Sequence, residues 1–264
     1  MKEKNVLTKL PAGEIIEIKK LADGSFEVMQ KVLVEEKCAS KEVHSISKIV
    51  IHETIFVQIE AESISRDDEF MQYHPSTKRA AHKKALIAEA IDSHVKNFYR
   101  PIMDPSIIED RIAYVGGQIP AVGKSYNWWF KAAKKYDPSH NSRLGTRLEY
   151  GAFLGVLIKK LVEEGNSIKW AWNAVCNDSE ELGHYWDSEN TKHGFETTGS
   201  RCICGFYDLA NTYKVLAEDV EAEGYWLASG CCHGYSSSYP LAELSHNTFC
   251  DSQLDNSVGW IVLS

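Results

Sequence analysis

Apolar and polar positions first alternate at short range, in the manner of strands. Glu14-Ile15-Ile16-Glu17-Ile18, Phe26-Glu27-Val28-Met29-Gln30 and Thr54-Ile55-Phe56-Val57-Gln58-Ile59 are β-branched or aromatic runs, and Ala22-Asp23-Gly24-Ser25 supplies a turn between the first two. The pattern up to about Ser65 predicts a small antiparallel β unit. His44 and His52 lie apart within it and read as surface or packing residues. The polar stretch from Arg66-Asp67-Asp68-Glu69 to His74-Pro75-Ser76 reads as a linker closed by a turn signal. Ser76 or Thr77 then caps a helix predicted over Lys78 to Tyr99, ended by Arg100-Pro101.

Further on the period becomes helical. Tyr126-Asn127-Trp128-Trp129-Phe130-Lys131-Ala132-Ala133 predicts a short aromatic helix whose rings serve packing, because large aromatics dominate cores. Thr146 and Glu149 form a T-x-x-E capping box ahead of Leu148, Phe153, Leu154, Leu157, Ile158 and Leu161, and Gly165 stops that helix. Lys169-Trp170-Ala171-Trp172 follows, and the polar run from Asn177 to Gly199 reads as an insertion or exposed loop. These divisions predict a β-rich N-terminal subdomain over 1–72, linker and helix over 73–115, and a main domain over 116–264.

The last stretch differs from all of these. Tyr225-Trp226-Leu227-Ala228 and Val258-Gly259-Trp260-Ile261-Val262-Leu263 read as two apolar strands. Between them, Ser229 to Ser257 is rich in Ser, Tyr, His, Asn, Cys, Gly and Asp, the residues of adaptable binding loops.

Charge and composition narrow the function. The 264 residues carry a formal net charge of -8 with no basic block, so nucleic acid is not expected as a partner. No apolar run reaches membrane-spanning length, so membrane insertion is not expected either. Met1-Lys2-Glu3-Lys4-Asn5-Val6-Leu7 lacks an apolar signal core, which predicts cytoplasmic synthesis without Sec-type export. The seven cysteines, an odd number, are read as mostly reduced thiols. His184 and His193 fit no tight metal-binding spacing, and Cys202-Ile203-Cys204 is too close for a zinc knuckle. The chain has no G-x-S-x-G, no P-loop and no G-x-G-x-x-G.

Three segments, in order, resemble the C-type-lectin-like domain of the formylglycine-generating-enzyme type. Arg143-Leu144-Gly145-Thr146-Arg147-Leu148-Glu149-Tyr150 is similar to that family's RLPTEAEWEYA helix start. Gly205-Phe206-Tyr207-Asp208-Leu209-Ala210-Asn211 is similar to its GLYDMAGNV, and Val258 to Leu263 to its terminal IGFRLV strand. The match runs from roughly Gly116 to Ser264 and implies an α+β fold: a C-type-lectin-like domain preceded by the small β-rich subdomain. The family's oxidase uses two cysteines a few residues apart, whereas Cys231 and Cys232 are adjacent here, and Leu227-Ala228-Ser229-Gly230-Cys231 stands in place of RGGSW. The EPN, QPD and WND motifs of calcium-dependent sugar-binding lectins are absent from the chain. No catalysis, cofactor or metal is therefore expected, the competing readings being a copper oxidase using Cys231 or Cys232 and a non-catalytic phage structural protein.

The same fold is used by the variable proteins of diversity-generating retroelements, in which mutagenised AAY codons become NNY and cannot encode Glu, Lys, Gln, Met or Trp. Ser229 to Ala242, fourteen residues, contains none of the five, and only Glu243 and Gln253 break the pattern as far as Ser257. Average composition gives such a run about one time in twenty. This resemblance implies a receptor-recognition protein, associated with a virion or displayed on a surface, with a variable protein or glycan target. The expected contacts are Cys231, Cys232, His233, Tyr235, Ser236, Ser237, Ser238, Tyr239, Leu241, His246, Asn247, Phe249, Cys250 and Asp251.

Overall fold

A computed structural model describes residues 8–9, 14–20, 26–32, 47–52, 54–114, 120–176, 203–206, 209, 213–217, 224–228, 244–248 and 257–264. The strands β1 (Thr8–Lys9), β2 (Glu14–Lys20), β3 (Phe26–Val32), β4 (Lys48–Ile51) and β5 (Thr54–Ile59) pair antiparallel in chain order. The β2–β3 hairpin sets Lys20 opposite Phe26, on either side of the expected turn, whose residues lie outside the described ones.

The segment after β5 is not the linker that its polarity predicts. Residues Glu69–Gln72 form a single helical turn, α1, which buries Phe70 and Met71, and the Phe70 carbonyl accepts the indole N–H of Trp172 at 2.9 Å. The helix that follows, α2 (Lys78–Asp92), begins at Thr77, whose hydroxyl accepts the Ala80 amide. It stops at Asp92, short of Tyr99. His94 turns left-handed at φ 51° and donates to Ile91 O, while Val95 donates to Ala90 O, which together close the last carbonyls in a Schellman arrangement. Residues Phe98–Pro101 then extend as β6 beside β5 and complete a six-stranded sheet. The sheet therefore runs across residue 72.

A short hairpin, β7 (Ser106–Ile108) and β8 (Arg111–Ala113), precedes α3 (Tyr126–Tyr136). The α3 helix is capped by Ser125 and buries Tyr126, Trp129 and Ala133 as expected, while Trp128 and Phe130 are half-buried at the edge of the same core. After β9 (Arg143–Leu144) comes α4 (Arg147–Glu163), with the capping box complete in both directions. Its central residues are buried all round, which makes it the core helix of the fold. Gly165, at φ 98°, closes it with the same hydrogen bonds that His94 makes possible in α2. A further helix, α5 (Ile168–Cys176), takes up Trp170-Ala171-Trp172.

The C-terminal strands are β10 (Tyr213–Leu216), β11 (Gly224–Ala228), β12 (Leu244–Thr248), β13 (Ser257–Gly259) and β14 (Ile261–Val262). The single terminal strand expected over Val258 to Leu263 is broken at Trp260. Its first part joins β10, and its second pairs with β9, where Leu263 also exchanges two 2.9 Å hydrogen bonds with Tyr99 of β6. The C-terminus thus ties both sheets together. Alternation along these strands feeds two cores. Leu216, Trp260 and Val262 join α2, α4 and α5 on one side, while Val215, Val258, Ile261 and Leu263 join α3 on the other. Strand β5 serves both, through Val57 and Ile59 on one side and Phe56 on the other. The fold is α+β, and no helix among the described residues is long and apolar enough to cross a membrane.

Candidate functional site

The four C-terminal strands are ordered β12-β11-β10-β13. Ala228, where the chain leaves β11, is the partner of Leu244, where it re-enters as β12. Residues 229–243 therefore connect two points held side by side in one antiparallel pair. Ala228 is also opposite Lys214 near the start of β10, and Ser257, the first residue of β13, is opposite Tyr213. One end of the sheet therefore holds the end of β11 and the beginnings of β10, β12 and β13.

That end is firmly founded. Tyr225, Ala228, Ser257 and Val258 are all buried. Gly259 is required where the terminal strand crosses α3, since a Cβ there would lie 2.4 Å from the Trp129 ring. Gly145 is required for the same reason against Trp260, at 2.3 Å. Arg143 clamps the Glu149 carboxylate with two hydrogen bonds of 2.6 and 2.8 Å, and Glu149 accepts the Thr146 amide at 2.8 Å. Its hydrogen bonds to the Glu149 carboxylate, with that group's charge, raise the Arg143 pKa above its ordinary value against the opposing effect of burial.

Beneath the strands lies a buried group of charges. Lys214 is 2% exposed and Asp104 3%, and the Lys214 Nζ donates to both Asp104 oxygens at 2.5 Å. The lysine is held at the place where the chain leaves β11. Arg100 of β6 lies between the rings of Phe153 and Phe206, 4.6 Å from each centroid. Burial lowers its pKa to about 10, against the charge of Asp104, which favours the protonated form. Tyr150 and Tyr114 stand nearby, and burial raises the pKa of both phenols. Among the described residues, the Tyr114 hydroxyl and the indole nitrogens of Trp129 and Trp260 are buried without a hydrogen-bond partner. Two cations and one carboxylate are thus buried beneath the end of the sheet.

Of the expected contact residues, the structure places two. His246 and Asn247 lie on β12, opposite Trp226 and Tyr225. The interval is thus not loop throughout, because five of its residues form an edge strand. Cys231, Cys232, His233, Tyr235, Ser236, Ser237, Ser238, Tyr239, Leu241, Phe249, Cys250 and Asp251 lie outside the described residues, as do His184, His193 and Cys202. Cys204 occupies a tight turn at φ 50° in which Ile203 and Phe206 exchange backbone hydrogen bonds, and the turn brings Phe206 against Arg100. Among the described residues no group of three or more His, Cys, Asp and Glu gathers to hold a metal ion.

Arg100, Asp104 and Lys214 were not legible as a group. Each is a single charge in or beside a short apolar run, and they come together only where β6 and the chain after it approach β10 of the other sheet. Comparison with protein-family models, with curated proteins and with solved structures finds no match for this chain.

Proposed function

We propose that this chain is a ligand-binding protein whose interval 229–257 is a recognition surface diversified by a retroelement and displayed on a C-type-lectin-like scaffold. Its target is a variable protein or glycan, and its carrier is a virion or a cell surface. The observation that carries the reading joins sequence to register. The run free of Glu, Lys, Gln, Met and Trp, Ser229 to Ala242, begins one residue after Ala228 and ends two before Leu244, its strand partner. A connection anchored in that way can change composition while both anchors keep their places in the sheet. The framing strands carry their own burial through Tyr225, Ala228, Val258 and Ile261. The part of the interval on β12 is compatible with variation as well, because the backbone pairing of an edge strand accepts most side chains and excludes proline only where the N–H donates to β11.

Randomising codons 229–242 as NNY, in a display library of the full chain, tests this directly. Most members are expected to retain the parent's protease resistance, whereas NNY codons at the buried positions 153–158 of α4 destroy it. Equal loss from both libraries would show that the interval is part of the structural core and overturn the reading.

A further inference from the structure

A cleft of about 660 Å³ lies between α3, the β7–β8 hairpin and the turn from β4 to β5. One wall is a face of α3 on which Trp128, Lys131 and Lys135 recur at helical spacing, and Arg111 and Ile112 of β8 line it as well. Arg111, Lys131 and Lys135 are exposed, and none makes an ion pair among the described residues. Among the described residues of the lining, Asp110 is the one carboxylate against three cations, in a chain of net charge -8. Its aromatic groups are held in place. Tyr136 meets His52 edge-on at 5.4 Å, and the His52 ring nitrogen lies 3.2 Å from the Tyr136 carbonyl. Trp128 packs edge-on against Trp129 at 4.9 Å.

The rim also carries backbone strain. The hairpin turns through Glu109 and Asp110 at φ 50° and 60°, a conformation that normally selects asparagine and glycine, and His52 sits at φ 47°. Ile108, the cross-strand partner of Arg111, is the one large apolar side chain exposed among the described residues, at 37%.

We propose that this cleft docks an extended acidic peptide segment of a partner protein, with its carboxylates on Arg111, Lys131 and Lys135 and an apolar side chain against Trp128 and Tyr136. Spacing favours a peptide over a compact anion. Lys131 and Lys135 are one helical turn apart, about 6 Å along the axis. Alternate residues of an extended chain are separated by about 6.6 Å, so an acid–x–acid sequence matches both lysines at once. A phosphate group calls instead for donors converging on one point. Each lining residue lies outside 229–257, so the site does not rest on the functional reading above and stays the same whatever the interval contains.

The test is a fluorescence-anisotropy titration of the full chain with a labelled peptide of alternating glutamate and glycine around a central phenylalanine. Lys131→Glu with Lys135→Glu is expected to weaken binding about tenfold, and Lys78→Glu with Lys169→Glu, exposed lysines elsewhere with the same charge change, less than about twofold. Thermal melts check that both pairs fold. Equal losses from the two pairs overturn the proposal by reducing it to net charge. Equal binding of a glutamine-for-glutamate peptide overturns it too, as does displacement of the peptide by inorganic triphosphate bound more tightly than the peptide itself.

Discussion

Asp104→Asn removes a negative charge and almost no volume from beside two buried cations. Lys214 loses the carboxylate that both of its 2.5 Å hydrogen bonds reach. Arg100, already pulled down to about 10 by burial, loses the charge that most favours its protonated form. Removing one partner of a buried ion pair costs about 3–5 kcal/mol, against a total stability of about 5–15 kcal/mol. Asp104→Asn belongs at the upper end of that range, because its loss deprives two buried cations of the same carboxylate. Lys214→Met belongs at the lower end or below it, since Arg100 remains to balance the carboxylate and the methionine fills the same space. The double variant should cost less than the sum of the two, as expected for groups in direct contact. Guanidinium unfolding at neutral pH, followed by tryptophan fluorescence, gives all three values. Equal costs for the two single variants, or a loss under about 1 kcal/mol for Asp104→Asn, would refute the idea that one carboxylate serves both cations.

Other features give equally direct checks. Gly259→Ala drives a methyl group to 2.4 Å from the fully buried Trp129 ring, and should destabilise the chain by about 1–3 kcal/mol in the same unfolding assay. Burial raises the pKa of Tyr136 to about 12 and that of Tyr114 and Tyr150 in the same direction. A folded pKa above the unfolded value, near 10, gives stability that is fully present below pH 10 and lost as pH rises through the folded value. Alkaline titration should therefore lower the melting temperature above about pH 10, with phenolate absorbance from these three tyrosines emerging together with unfolding. The Cys176 thiol, pushed up to about 12 by burial, should resist thiol reagents until the chain unfolds, and quick labelling of Cys176 itself in the native protein, located by peptide mapping, would contradict its placement.

How much of this could be read from the sequence depended on whether a local signal had a local cause. The α4 helix was legible from end to end. Thr146 and Glu149 announce its start, apolar residues recur through it, and Gly165 marks its close. The α2 helix ends through the same hydrogen-bonding pattern, but with His94 in the left-handed position. Without a glycine to announce the turn, the periodic reading ran on through Phe98-Tyr99, which belong to β6. Phe70 and Met71 were lost in polar surroundings for a related reason, since the core they join is built from distant residues, among them Trp172, whose indole bonds the Phe70 carbonyl from 102 positions later. The C-terminal strands were recognisable by their apolar runs. That Val258 to Leu263 would divide between two partners follows only from the packing of Gly259 on Trp129 and of Trp260 on Gly145. At the candidate site, composition marked out the interval, and register supplied what composition could not: Ala228 and Leu244 are neighbours. The charges beneath it come from β6, from the chain between β6 and β7, and from β10 of the other sheet, and no local spacing encodes their approach.

The most direct measurement is deep sequencing of the 3′ end of this gene across many natural isolates. Substitutions should cluster at NNY codons between Ser229 and Ser257, avoid proline at the β12 positions whose N–H donates to β11, and leave Tyr225-Trp226 and Val258-Gly259-Trp260 unchanged. An invariant interval, or substitutions spread evenly over the gene, would contradict a diversified recognition surface.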